Sequence, residues 1–531
     1  MRSLFAALAL LSSSVVRAQS GEEARGWDEA FNDAMSPISN AVSSFTFYPI
    51  NPWSDSAIQM PAVVVLLLTA AVVITIYFGF VQFRQFSLAK RTVQGRYSLG
   101  DEPGEVTHFQ ALTAALSGTV GLGNIGGVAV AVSIGGPGAT LWMIIAGLLG
   151  MATKFAECTL GVRYRDVGPD GTVYGGPMYY LKKGLSDKGY TTLGKVFSVL
   201  FAIFCVGGSF GGGNMFQSNQ AASIFNEQIG ATSGSAGFVF GLVLAALVGL
   251  VILGGIKRIA SVTERVVPFM VGVYLLAAFV VILFNLRYVP VAFGQIISGA
   301  FSPEGITGGF IGVLVQGFRR AAFSNEAGVG SAAIAHSAVK TRYAASEGLV
   351  ALLEPFIDTV VVCTITALVI VIANGDGTLL NYGEGAEGVA VTSAAFATVI
   401  PWFPYVLTVA VVLFAFSTQL SWSYYGLQAW LYLFGKSKAA DITYKIIFLL
   451  FVILGASVSL QAVIDFSDSM IFLMAVPNLI GVFILLPVIK QEFEDYLNDS
   501  RKIDDGAPIP SERVARVRYD SNGRPIEKSS L

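Results

Sequence analysis

The sequence predicts an all-α polytopic membrane protein with 11 transmembrane helices. They form two sets of five in opposite orientation, with one extra N-terminal helix. Three observations lead to this class. First, 54% of the 531 residues are hydrophobic and only 13% are charged, whereas a soluble domain carries about 25% charged residues. The mean hydropathy of +0.66 agrees. Second, several apolar runs reach the roughly 20 residues needed to cross the hydrocarbon core. Third, two of these runs are interrupted by glycines at matching places in the two halves of the chain. A β-barrel does not fit, because barrel strands alternate in polarity over about 10 residues.

From the start of the chain, residues 1–18 read as a signal peptide. Arg2 precedes the apolar segment Leu4 to Val16, followed by the small-residue pattern Val16-Arg17-Ala18. An uncleaved amphipathic segment is the alternative. Such a leader implies a bacterial cell inner membrane and a mature amino terminus in the periplasm. Residues 19–60 follow as a periplasmic segment. The membrane-embedded body, 61–490, contains spans at 61–83, 109–134, 138–162, 196–227, 236–254, 266–285, 308–337, 348–373, 403–433, 443–460 and 467–489.

The loops orient these spans. One alternating set carries Arg84, Lys90, Arg91 and Arg96, then Arg163, Arg165, Lys182, Lys183, Lys188 and Lys195. It continues with Lys257, Arg258 and Arg265, then Lys340 and Arg342, then Lys436 and Lys438. The opposite set holds only Arg287, with Arg25 in the leader-proximal segment. Positive loops stay inside, so the amino terminus lies outside and the tail 491–531 in the cytoplasm, in agreement with the leader. The loop 374–388, with Asp376, Glu384 and Glu387 and no Lys or Arg, suits the outer face. The charged tail reads as a solvated, partly disordered end.

Composition also excludes several functions. A net charge of −2 rules out a strongly basic nucleic-acid binder. Cys158, Cys205 and Cys363 lie in apolar runs, which is neither a disulfide framework nor a CxxC metal site. The two histidines, His108 and His336, are far apart in sequence, and no histidine-based metal centre is legible. The chain has no HExxH, no paired intramembrane aspartates and no GxxxxGK[ST] loop, so neither an enzyme nor an ATP-driven pump is expected, and no organic cofactor.

The interrupted runs are GTVGLGNIGG, 118–127, and SNEAGVGSA, 324–332. Arg319, Arg320 and Glu326 lie at membrane depth beside the second. Counting five spans from each gives 109–285 and 308–490, which enter the membrane from opposite sides. An inverted repeat with a broken first helix in each half points to a secondary transporter with its site at the bilayer midplane. Unsatisfied backbone groups cost several kcal/mol each in lipid, so irregular backbone survives only when buried in protein or lining a cavity. An opened helix offers N–H groups to a carboxylate and carbonyls to a cation. The GxGxxG of Gly121, Gly123 and Gly126 is not a dinucleotide fingerprint, since no strand precedes it and no acidic residue follows about 20 positions on. Close helix packing through Gly123 and Gly127 is the alternative, and Asn124, a polar residue among the glycines, argues against it. A channel would instead show pore-lining rings and no broken inverted pair.

These stretches resemble the alanine or glycine:cation symporter family from residue 61 to 490. The resemblance is carried by GTVGLGNIGGVAVAVSIGGPGATLWM (118–143), TVYGGPMYYL (172–181), GNMFQSN (213–219), FSNEAGVGSAAIAHSAVKT (323–341), EPFIDT (354–359) and FSTQLSWSYYG (416–426). It implies a leucine-transporter-like 5+5 inverted repeat and uptake of a small neutral amino acid, alanine or glycine, coupled to sodium or in some members to protons.

Residue roles follow. Asn124 offers a donor and an acceptor to a ligand, or caps its half-helix. Gly121 and Gly123 would expose backbone to the substrate carboxylate or the ion. Asn214, Gln217 and Ala221 share a helix face; the resemblance favours Gln217 as a substrate contact, with an interhelical hydrogen bond as the alternative. Phe323 would wall the pocket beside the Ser324-Asn325 backbone, or simply pack. Ser417, Thr418 and Ser421 carry hydroxyls suited to sodium, a hard cation, and the resemblance pairs Ser417 and Thr418 with carbonyls near Gly121. Bonding back to i−4 carbonyls is the alternative for these hydroxyls. Thr418 and Trp422, one turn apart, face the pocket in the family. A pocket between Phe323 and Trp422 would be small, admitting alanine or glycine and excluding leucine. Glu354, Asp358, Arg319 and Arg320 suggest a gating or structural ion network, and Lys154 with Glu157 a local pair.

Overall fold

Helices dominate, and strands are confined to short pairs such as Asp166–Val167 with Val173–Tyr174. The computed structural model describes residues 40–50, 60–99, 102–169, 171–231, 236–301, 309–383, 388–458, 460–509, 518–519 and 525–526. The leader expected at 1–18 lies outside them.

The helices that build the site are α1 (Ala62–Tyr77), α2 (His108–Thr119), α3 (Val128–Gly135), α4 (Ala139–Arg163), α5 (Thr191–Ile229), α6 (Gly255–Phe284), α7 (Gly309–Asn325), α8 (Ala332–His336), α9 (Ala344–Ala373), α10 (Phe403–Phe434), α11 (Lys438–Gly455) and α12 (Leu460–Asp504). Six of the described helices are long and apolar enough to cross a membrane; the pair 108–119 and 123–135, bent by 52°, makes a seventh. Large apolar side chains cover the outside: on α6, Phe269, Leu276 and Phe279 are exposed. Such a surface is stable against lipid and costly against water. The chain is a multi-pass membrane protein.

Polar groups are turned inward instead. α4 packs on α1, α7, α8 and α9 and carries Lys154 and Glu157 with 0% exposure. Gly150 lets it approach the second helix break, since a Cβ there would lie 2.8 Å from that of Ala327. Lys154 does not pair with its neighbour Glu157, as spacing suggested. It reaches α9, with Nζ 3.2 Å from Glu354 Oε2, while Glu157 accepts from Asn478 Nδ2 at 2.5 Å.

The two ends of the molecule are held differently. At one end, Arg319 and Arg320 both bind Asp468, at 2.8 and 2.5 Å, and neither pairs with Glu354 or Asp358. The Arg319 guanidinium also covers the Phe47 ring at 4.2 Å. At the other, Arg165 donates to the carbonyls of Ser337, Val339, Pro103 and Thr341 at 2.5–3.0 Å. Burial pulls the Arg165 guanidinium down to about 10, with the Glu347 charge opposing. It therefore stays cationic at neutral pH and ties the approach to α2 to the exit from α8.

α12 runs past Lys490, so the tail begins as ordered helix. Phe493 and Tyr496 continue its apolar face, and Asp504 binds Arg91 and Arg96 at 2.6 and 3.0 Å.

Candidate functional site

Three helices open into wide, π-type turns near the middle of the molecule: Gly123–Gly127, Gly211–Met215 within α5, and Phe356–Cys363 within α9. Such turns concentrate at functional sites because they release backbone from the regular ladder. The first lies between α2 and α3. A fourth interruption, Glu326–Ser331, separates α7 from α8. Glu326 there adopts φ +56° and Gly328 φ +91°, left-handed conformations that Gly takes easily and Glu does not.

A narrow cavity lies between the first break, the wide turn of α5 and the Glu326–Ser331 interruption, lined by Gly118, Thr119, Gly121, Gly123, Gly212, Gln217, Phe323, Glu326, Thr418, Trp422 and Ile471. One wall is backbone-rich, from the first break and Gly212. A second wall is aromatic: Phe323, braced edge-on by Phe216 at 5.5 Å, and Trp422. Two fully enclosed oxygens facing this space, Gln217 Oε1 and Thr418 Oγ1, have no hydrogen-bond partner. Buried polar atoms are normally satisfied, so their freedom points to a ligand. The Gln217 amide nitrogen is held by Gly212 O at 2.9 Å, which aims its oxygen.

Of the residues expected from sequence, Gly121, Gly123, Gln217, Phe323, Thr418 and Trp422 line this cavity. Asn124, Ser417 and Ser421 stand behind it. Asn124 Oδ1 accepts from Gly121 N–H at 2.8 Å, and Nδ2 donates to Asp358 Oδ1 at 2.6 Å, so its amide is spent on the break itself. Ser421 donates to Ala114 O at 2.6 Å, and Ser417 to Phe414 O at 3.0 Å. Each hydroxyl keeps lone pairs after donating. Asn214 joins helices: it donates to Phe448 O at 2.7 Å and accepts from Gln419 at 3.2 Å.

A family model described as the sodium:alanine symporter family matches residues 46–507. The chain belongs to that family. As a member it is a cation-coupled amino-acid symporter. Sodium/alanine symporter AgcS of Methanococcus maripaludis is 41% identical, covering 84% of this chain and 96% of its own. A Bacillus subtilis protein named probable sodium/glutamine symporter GlnT is 33% identical, covering 82% and 88%. The crystal structure of MhsT in complex with L-phenylalanine aligns with TM-score 0.48 at 18% identity, over 72% of this chain and 88% of that one.

Five cavity residues of this symporter escaped the sequence reading as site residues: Gly118, Thr119, Gly212, Glu326 and Ile471. Glu326 is the one carboxylate among the cavity residues. Its Oε1 accepts from Trp422 Nε1 at 3.0 Å and its Oε2 from the Ser331 hydroxyl. The signal was present, a lone acid among glycines in a membrane run, but which way it pointed depended on the left-handed turn at that residue. Gly212 sits in the GGGN stretch, whose break within α5 had no interruption of hydropathy to announce it. A Cβ on Gly212 would lie 2.5 Å from Ile471 Cδ1, which explains the glycine.

Proposed function

We propose that this symporter imports alanine or glycine together with sodium by alternating access. In this reading it has eleven spans in a leucine-transporter-like inverted repeat, and sits in a bacterial inner membrane with its carboxyl terminus in the cytoplasm. The observation that carries it is the small cavity between the two helix breaks, with Gln217 Oε1 and Thr418 Oγ1 left free and Glu326 as its charged group.

The chemistry divides naturally. A zwitterionic amino acid needs donors for its carboxylate and acceptors for its ammonium. The opened backbone at Gly123 supports the first, and Glu326 with Gln217 Oε1 the second. Phe323, Trp422 and Ile471 leave room for a methyl group or a hydrogen and little more. Sodium takes oxygen ligands. Thr418 Oγ1 is the hydroxyl best freed for it, close enough to Gly121 that a Cβ there would lie 2.5 Å away, with Ser417 and Ser421 offering their remaining lone pairs nearby. Two ligands sharing one cavity wall raise each other's affinity, which is the reciprocity symport requires.

The test is uptake of labelled alanine into proteoliposomes under an imposed sodium gradient, an imposed proton gradient, or neither, with glycine, leucine and glutamine as competitors. Sodium-driven uptake, inhibited by glycine and indifferent to leucine, is expected. Uptake insensitive to both gradients would sink the reading, and strong competition by glutamine would sink its size limit.

A further inference from the structure

His336, which ends α8 and is fully buried, has a carboxylate at each ring nitrogen. Nδ1 lies 2.5 Å from Glu347 Oε1, and Nε2 contacts Glu354 Oε1. The two glutamates stand two turns apart on α9, on one face, and the imidazole fits between them. Their other oxygens are also engaged: Glu347 Oε2 with His108 Nδ1 at the start of α2, and Glu354 Oε2 with Lys154 Nζ on α4 at 3.2 Å.

Counting hydrogens decides what this arrangement holds. Each of the two contacts of His336 needs one hydrogen between nitrogen and oxygen. A neutral imidazole carries one N–H, and an ionised carboxylate carries none. The pair of contacts therefore contains one proton more than a neutral histidine and two carboxylates supply. It is the same proton whether drawn on the ring or on a glutamate. His108 and Lys154 satisfy their own contacts with their own hydrogens. With the extra proton, His336, Glu347, Glu354 and Lys154 sum to zero charge; without it they carry −1 in a site of 0% exposure, which is strongly unfavourable.

We propose that His336, Glu347 and Glu354 form a proton-binding site of this symporter, loaded in the closed molecule and discharged toward the cytoplasm from Glu347, on the side where His108 stands. The sidedness rests on the topology of the symport reading. His108 is the one member of the chain of contacts with any exposure, at 6%, and it lies at the Arg165 end of the molecule. The other charged or titratable groups around the cluster are Lys154, Glu157 and Cys158 on α4, Tyr425 on α10, Arg165 beyond α4, and Glu326 across Lys154 on the second break. Cys158 Sγ lies within 4.8 Å of a His336 ring nitrogen and a Glu354 carboxylate oxygen. Loss of the proton leaves one nitrogen lone pair against a carboxylate oxygen and loosens the join between α8 and α9. Because α8 begins at the Glu326–Ser331 break, this weakens the closed cavity from the cytoplasmic side. Acid inside should hold the proton on and slow release; alkali inside should favour it.

The chain contains only two histidines, so ¹⁵N-histidine NMR of the purified full-length protein is assignable with His108→Gln and His336→Gln. At about pH 7.5, where a solvated imidazole of pKa about 6.5 is mostly neutral, His336 is expected with both nitrogens protonated. A neutral His336 accompanied by an infrared band of a protonated carboxyl, lost in Glu347→Gln or Glu354→Gln, supports the same site. A neutral His336 with no such band overturns it. In proteoliposomes with outer pH fixed, sodium-driven uptake should rise with inner pH, no more steeply than about tenfold per unit for one proton. It should be flat in His336→Gln. A wild type indifferent to inner pH overturns discharge toward the cytoplasm. Absence of sodium-driven uptake at every pH overturns the symport reading instead, and the NMR result is independent of it.

Discussion

Asn124 and Asp358, 234 positions apart, join the two helix breaks: the Asn124 amide donates to Asp358 Oδ1 at 2.6 Å while Asp358 Oδ2 accepts from Ser324 at 2.9 Å. Thr359 adds a third donor at 2.7 Å. A carboxylate buried among neutral donors is costly to place and costly to disturb. Here it couples Gly121 on one side of the cavity to Phe323 and Glu326 on the other. Any movement of α9 is felt at both breaks at once.

Asp358→Ala should therefore take the carboxylate from three buried donors, leaving Asn124 only the residue-358 carbonyl at 3.1 Å and the Cys363 sulfur at 3.3 Å. A stability loss of about 1–3 kcal/mol is expected for each group left unsatisfied, less what local relaxation recovers. Thermal inactivation in detergent should fall by several degrees, and alanine uptake should drop at least tenfold. Unchanged uptake in a well-folded variant would show that the link between the breaks is not needed for transport.

Gly121→Ala and Gly127→Ala separate site from packing. A Cβ at Gly121 would sit 2.5 Å from Thr418 Oγ1, whereas one at Gly127 meets nothing within 4 Å. The first should abolish uptake with little loss of folded protein, and the second should leave transport near wild type. Equal effects would favour a general packing role for the glycine stretch. Gly126 already has that character, because its Cβ would press on Val389 at 3.0 Å.

Thr418→Ala removes the free hydroxyl oxygen at the cavity wall. Loss of one oxygen ligand should raise the sodium concentration for half-maximal uptake about tenfold, equivalent to ~1.4 kcal/mol. The rate at saturating sodium should be largely kept. An unaltered sodium activation curve would remove Thr418 from the ion site.

Trp422→Phe keeps the aromatic wall but takes the N–H from Glu326 Oε1. The carboxylate then loses a donor held at 3.0 Å. If Glu326 meets the substrate ammonium, its misplacement should raise the KM for alanine about tenfold, for ~1.4 kcal/mol, with a smaller change in maximal rate. A change confined to maximal rate would place Trp422 in the conformational step.

What the chain determined without its tertiary structure was mostly periodic or local. Long apolar runs dictate membrane helices because lipid offers no partners to an open backbone. Glycine clusters holding polar residues marked both breaks, and the family resemblance, through Thr418 and Trp422, marked one wall. The family itself was legible in stretches such as FSNEAGVGSA and FSTQLSWSYYG. Partner choice was not legible. Lys154 next to Glu157 reads as a pair, yet it binds Glu354; Arg319 and Arg320 face Asp468; and two histidines 228 positions apart meet on one glutamate. Burial makes the difference. In water such pairs would contribute little, whereas in a dry interior each polar group must find a partner wherever the packing brings one within reach. Side-chain direction at an irregular turn, as at Glu326, likewise depends on a backbone conformation that hydropathy does not encode.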